Sequence, residues 1–307
     1  MNLHTVIEQY LEYLQYEQHG SPSTVYLRWS HLNIFSRYME EEQGVEDIQE
    51  IKIHHLRNYL AFLRTEADYQ PVSLESMISS LRALYTFAVQ RELIQSNLAR
   101  KLKKPRVEKK EIEHFSWEEV ESLFLAVEPG PAYLRDLCIL LFFYYSGLRL
   151  EELQHIQVKD FCQDLSELYV EKGKGDKSRL LPVHPFLQRV LELYIKERAG
   201  QAVNSNYLFP GKGDKPLGKS RIYRIVRGCG ERAGVKKRVS PHTFRHSFAT
   251  HLHQKGVDIN RLAQLLGHTN IEKTAIYTHT EEKELTAAVL KLKESEVAWG
   301  VTRKKRL

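Results

Sequence analysis

The chain has 307 residues, 42% hydrophobic, with 10 Pro and 16 Gly, which is two domains' worth at ~100–200 residues each and excludes a small module, a disordered polymer or a collagen-like fibre. Lys and Arg total 45 against 39 Asp and Glu, a formal net charge of +6, modest for the whole chain and meaningful only through where the excess sits. The longest apolar stretch, Leu137 to Tyr145, is far shorter than the ~20 residues that cross a bilayer, and MNLHTVIEQY lacks the plan of a signal peptide, so the expectation is a cytoplasmic protein with no membrane partner.

In chain order, Val6, Ile7, Tyr10, Leu11 and Leu14 recur at helical spacing and predict a first amphipathic helix. A second begins after Ser21-Pro22-Ser23, which suits a cap and first turn, and carries Leu27, Leu32, Phe35 and Met39. Ile53, Leu56, Leu60 and Leu63 mark a third, and Ser73 through Leu74, Met77, Ile78, Leu81, Leu84, Tyr85 and Ala88 a fourth. Nothing here alternates as a strand does. The run RKLKKPRVEKK from Arg100 to Lys110 is dense in charge with little to bury, as expected of a solvated linker or of a contact with nucleic acid.

A second domain opens at the capping box Ser116 and Glu119, ahead of a helix from about Trp117. Leu137 to Leu148 is too continuously apolar for a surface helix; it predicts a buried central helix with Arg149 at its end. Short runs over Val158–Phe161, Leu168–Glu171 and Arg179–Val183 predict a small antiparallel sheet, with Gly173-Lys174-Gly175-Asp176 as a turn. Helices are expected again over Phe186–Arg198, Ser220–Ala233, Pro241–Gln254, Asn260–Leu266, Ile271–Tyr277 and Glu282–Leu292. The expected protein is mostly α with a small antiparallel β-sheet. Its parts are a helical N-terminal domain over 1–99, a basic linker over 100–114, an α+β domain over 115–292 and a basic tail over 293–307.

Three polar clusters lie in apolar surroundings: Gly147-Leu148-Arg149 with Glu152, Ser240-Pro241-His242-Thr243-Phe244-Arg245-His246, and Leu266-Gly267-His268 followed by Tyr277. The ordered set R, K, H-x-x-R, L-G-H and Y resembles the catalytic domain of the tyrosine site-specific recombinases, or phage-type integrases. The helical unit and basic run before it are similar to that family's core-binding domain. A simple two-domain, Xer-like arrangement is implied, since the chain is too short to add an N-terminal arm-binding domain.

The chemistry suits these residue types. Attack on a phosphodiester builds negative charge on its equatorial oxygens, and fixed cationic donors must meet it. A guanidinium stays protonated and offers paired planar donors that lysine cannot reproduce. Arg245 lies one helical turn from His242, so the two share a face, from which they can address one phosphate. A tyrosine, with an ordinary pKa near 10, needs such neighbours to act as a nucleophile at neutral pH.

The resemblance implies the roles. Tyr277 is the nucleophile, forming a 3′-phosphotyrosyl link and releasing a 5′-hydroxyl. Arg149 and Arg245 bind the phosphate, His242 and His268 serve the phenol, and Lys174 on its hairpin gives the leaving oxygen a proton. Glu152 orients the cluster, and Glu151 is expected to be exposed. Arg100, Lys101, Lys103, Lys104 and Arg106 would track the backbone of double-stranded DNA. The assembly implied is a homotetramer on synapsed DNA, or a hetero-tetramer with a second recombinase, in which Glu282–Leu292 docks on a neighbouring protomer. A nucleoid-associated location follows. The alternatives are type IB topoisomerase relaxation and a catalytically silent DNA-binding protein.

No cofactor and no metal are expected. His242 and His246 stand four apart, but no carboxylate occupies the metalloprotease position and no third ligand follows at a suitable spacing. His246 and His251 are expected to pack or to bond backbone. Cys138, Cys162 and Cys229 are odd in number and widely spaced, which indicates neither a disulfide framework nor a zinc ribbon.

Overall fold

The computed structural model describes residues 1–105, 113–171, 178–200, 205–267 and 279–295. The chain divides into two compact units, Met1–Lys110 and Glu111–Leu307. In the first, helices α1 (Leu3–Glu12), α2 (Pro22–Gln43), α3 (Ile53–Thr65) and α4 (Pro71–Gln90) form where the apolar spacing predicts them. Ser21 caps α2 by accepting from Thr24 N, Pro22 takes the first helical position, and Gly44 closes the helix at φ +63°. Val6, Phe35, Met39, Leu56, Leu81 and Leu84 lie in the core these helices enclose.

The basic run begins as part of this unit. Leu98–Lys101 is a single 3-10 turn, Ala99 and Leu102 are buried in the helical core, and Arg82 donates to the carbonyls of both, at 3.3 and 2.6 Å. Arg100, Lys101, Lys103 and Lys104 are exposed around these two anchors, and Lys104 pairs with Glu75 at 2.8 Å. Arg106 lies outside the described residues.

The second unit opens with α5 (Trp117–Leu125) behind the predicted capping box, in which Glu119 N donates to Ser116 Oγ at 3.3 Å and Ser116 N to Glu119 Oε2 at 2.7 Å. Its pillar is α6 (Tyr133–Tyr145), buried at every residue from Leu137 to Tyr145 and packed on later helices of the unit. The sequence predicts that this helix runs on to Leu148. It stops at Tyr145 because Gly147 adopts φ +58°, and Arg149 becomes the cap of a further helix, α7 (Leu150–His155), not the end of the buried one. The strand expected at Val158–Phe161 is instead a 3-10 turn over Val158–Asp160, in which Gln157 N donates to Asp160 Oδ2 at 2.7 Å. A local carboxylate thus outcompeted the ladder, leaving only a bridge from Phe161 to Leu168.

Strands β1 (Glu167–Val170) and β2 (Arg179–Pro182) pair antiparallel, Glu167 opposite Pro182 and Val170 opposite Arg179. The predicted turn around Lys174 lies outside the described residues. Helices α8 (Pro185–Gly200), α9 (Lys219–Ala233), α10 (Pro241–Gln254), α11 (Ile259–Leu266) and α12 (His279–Val289) follow. The helix expected over 271–277 and the tail beyond 295 also fall outside the described residues. Leu285, Ala288, Val289 and Leu292 are buried in the same core as α6, so the segment expected to dock on a neighbour is packed here on its own unit. The protein is mostly helical with one small antiparallel sheet, and no described helix is long and apolar enough to cross a membrane.

His184 joins β2 to α8. Its ring is 2% exposed, stacks on Tyr145 at 4.4 Å and accepts from Phe186 N at 3.2 Å. Burial, opposed by the Glu294 charge and the Leu292 backbone, lowers its pKa to about 4. Above pH ~6.5 the ring is neutral folded or unfolded and contributes nothing; below it the unfolded chain takes a proton that the folded chain refuses. Between pH 6.5 and pH 4 the unmodified protein should therefore lose about 3 kcal/mol more stability than His184→Asn in denaturant titrations, and parallel pH profiles would contradict this.

Candidate active site

The site is assembled at the C-terminal end of α11. A helix leaves its last carbonyls without partners in the helix and carries about half a negative charge there, so cationic donors are favoured at that end. Here Gly267, at φ +67°, ends the helix in the left-handed region, and three successive carbonyls each accept from a different arginine. Arg179 Nε donates to Leu265 O at 2.9 Å, Arg245 Nη2 to Leu266 O at 2.6 Å, and Arg149 Nη2 to Gly267 O at 3.3 Å.

Each arginine arrives on a different element. Arg245 comes from the middle of α10, is 7% exposed, and also donates through Nη1 to Gly147 O at 2.6 Å. That bond depends on the left-handed turn at Gly147, where an added Cβ would stand 2.5 Å from the Phe248 ring and 3.1 Å from Leu266. Arg149 caps α7: its backbone N–H donates to Glu152 Oε2 at 2.7 Å and its Nη1 to Glu152 Oε1 at 3.1 Å. Its side chain is 33% exposed, making it the most accessible of the three.

Glu152 is the counter-charge. Arg179 grips both of its oxygens, Nη1 to Oε1 at 2.8 Å and Nη2 to Oε2 at 2.9 Å. Burial pushes this carboxyl up, but the Arg179 and Arg149 hydrogen bonds and charges outweigh it and hold Glu152 below the usual carboxylate range. Two guanidinium groups on one ionised carboxylate, with the Arg245 guanidinium on the adjoining carbonyl, leave a positive excess among the described residues, which suits an anion such as a phosphodiester. Glu151 is exposed as expected, pairing with Lys219.

His242 stands one turn before Arg245 on α10 but is exposed, and the partner the structure gives it is His246, with 2.9 Å between the two Nε2 atoms. His246 was expected only to pack or to bond backbone; instead it joins His242, and one ring must donate while the other accepts. Burial, with His242 and Arg245 beside it, lowers the His246 pKa. His251 binds the Tyr144 hydroxyl at 2.8 Å, away from this pair. Lys174, His268 and Tyr277 lie outside the described residues, His268 being the next residue in the chain after Gly267.

Arg179 was read in the sequence only as the start of a strand. Its signal was there: on β2 it shares a face with the buried Leu181, and a charged residue on an apolar face needs a buried partner.

With this geometry in view, the comparisons fix the class. The phage integrase family model matches residues 113–284, and the phage integrase N-terminal SAM-like domain matches residues 7–92. The chain belongs to the phage integrase family and is a tyrosine recombinase, an enzyme of DNA strand breakage and rejoining. Among named relatives it is 34% identical to tyrosine recombinase XerC of Natranaerobius thermophilus over 285 residues, 90% of this chain and 94% of that protein. It is 33% identical to tyrosine recombinase XerA of Pyrococcus horikoshii over 299 residues, 96% of each. The fold is shared with a lambda integrase dimer bound to a COC′ core site, at TM-score 0.68 and 18% identity over 90% of this chain and 99% of that one. XerH bound to its difH substrate matches at TM-score 0.67 and 18% identity, over 97% of this chain and 84% of that one.

Two outcomes follow from the local geometry. Gly147→Ala should destabilise the second unit by about 2–4 kcal/mol, the sum of a left-handed alanine and an overpacked contact, as read from its urea unfolding transition. In an NMR titration the His246 ring should take its proton below pH 6.5, chiefly because it is partly buried beside His242 and Arg245; a midpoint at or above that value contradicts this placement of the ring.

Proposed function

We propose that this chain recombines DNA at a specific site through a 3′-phosphotyrosyl intermediate on Tyr277. The observation that carries the proposal is the pair Arg149 and Arg245, fixed on the neighbouring carbonyls of Gly267 and Leu266. Guanidinium groups held in advance of substrate need no reorganisation as charge develops on the phosphate.

In the reaction, Tyr277 Oη attacks phosphorus and the bond from phosphorus to the 5′ oxygen breaks. The phenolic proton passes to His242 or His268, and Lys174 supplies a proton to the departing 5′ oxygen. The phosphotyrosyl bond conserves the energy of the broken linkage, so a 5′-hydroxyl from another strand reverses the step without ATP. Glu152 holds Arg149 in place and carries no proton. The exposed cations Arg100, Lys101, Lys103 and Lys104, with Arg106, lie along the phosphate backbone of the duplex, giving affinity that falls as salt rises.

Strands are exchanged within a homotetramer on synapsed DNA; a lambda integrase of the same fold, at TM-score 0.67, is a tetramer bound to a Holliday junction. A second recombinase in place of two subunits is the finer variant of this assembly. The reaction takes place on chromosomal or mobile-element DNA in the cytoplasm. Family matches over both parts of the chain favour recombination over supercoil relaxation and over a silent DNA-binding role.

The test is a covalent one. The full chain is incubated with nicked duplex fragments of genomic DNA, and complexes that survive detergent are recovered and sequenced. A covalent adduct enriched for one site is expected with the unmodified chain and none with Tyr277→Phe. An adduct of equal yield in Tyr277→Phe would overturn the nucleophile, and no adduct with the unmodified chain would overturn the recombinase reading.

A further inference from the structure

Arg179 opens β2 with a side chain that is 3% exposed. Nη1 and Nη2 are spent on Glu152 and Nε on Leu265 O, at 2.8 to 2.9 Å. A group so enclosed cannot meet DNA. Yet its two anchors, the Glu152 carboxylate and the end of α11, are the same two that hold Arg149. An added Cβ on Gly267 would stand 2.8 Å from Arg179 Nη1, so the guanidinium packs directly on the backbone that accepts from Arg149.

We propose that Arg179 is a positioning residue for strand cleavage, acting through Glu152 to fix the Arg149 guanidinium at the end of α11. Glu152 is mostly buried, and Arg179 supplies the hydrogen bonds and charge that oppose its burial most strongly. Without Arg179 the carboxyl loses two of the four donors it has among the described residues and is drawn towards its neutral form. A neutral carboxyl is a weaker acceptor, and Arg149 loses the hold that directs it. Lysine in place of Arg179 keeps the charge but, as a point donor, cannot span both oxygens and the Leu265 carbonyl in one plane.

The inference rests on the recombinase reading above, and the experiment separates the two. Single-turnover cleavage by the full chain is measured on a nicked duplex bearing the site recovered from the adduct. The scissile linkage is either an ordinary phosphodiester or an uncharged methylphosphonate. Arg179→Lys should cleave the phosphodiester about 100-fold more slowly, the scale of a misplacement of 1 Å. It should lose far less on the neutral linkage, where less charge needs meeting, as should Arg149→Lys. Because both linkages are read with one protein preparation, their ratio does not depend on the fraction folded.

Equal loss on both linkages, or no loss, overturns the inference. A second variant, Arg179→Met with Glu152→Leu, removes both members of the pair and so avoids an unpaired buried charge. It should still show the altered ratio, which does not depend on the fraction folded; recovery of the normal ratio overturns the proposal. Failure of the unmodified chain to form any adduct would instead remove the recombinase reading.

Discussion

The end of α11 is the constraint on which the rest of this site depends. Its last carbonyls have no partner further along the helix, and a buried carbonyl needs a donor. The protein answers with three arginines, from β2, from α10 and from the cap of α7. Satisfying a helix terminus and concentrating positive charge are here one act. The carbonyls fix the guanidinium planes, and the charge so fixed is available to a phosphate. Glu152 tempers the repulsion among the arginines and ties two of them together.

Such a cluster needs a rigid frame, and α6 supplies it. Because its faces are apolar all round over Leu137–Tyr145, it is held in the interior of the second unit. Phe244 and Phe248 on α10 belong to the same core, so Arg245 between them is carried to a fixed place. At the far end of α6 the chain must reverse within a few residues to place Arg149 beside Arg245. Gly147 makes that possible twice over: it accepts the left-handed conformation, and it leaves room for the Phe248 ring. The carbonyl turned outward by that conformation is the one Arg245 binds.

Much of this was legible without coordinates. Periodicity placed the four N-terminal helices, and Pro241–Gln254 falls at its predicted limits. Ser116 and Glu119 announced the start of α5 as a capping box does, through bonds made within four residues. Local signals failed where a competing local bond intervened, as Asp160 turned a β-like run into a turn. They failed too where composition was continuous across a break, as at Ser146-Gly147-Leu148, whose apolar neighbours hid the end of the helix. Leu102 shows the same limit: within a run of lysines it looked like linker, yet its side chain completes a core formed almost wholly by residues before it.

The sequence by itself determined which residue types were present and in what order, and hence the class of chemistry, because guanidinium, imidazole and phenol groups have intrinsic charge, geometry and pKa. It also determined the helices, since helical hydrogen bonds and apolar stripes span only a few residues. Only the tertiary structure decided the pairings. That Arg179 belongs with Glu152, and that three arginines share consecutive carbonyls of one helix, follow from distances through space. The arginine contacts join positions up to 118 apart in the chain, and no local pattern encodes the closing of such a loop; it is settled by how the whole core packs.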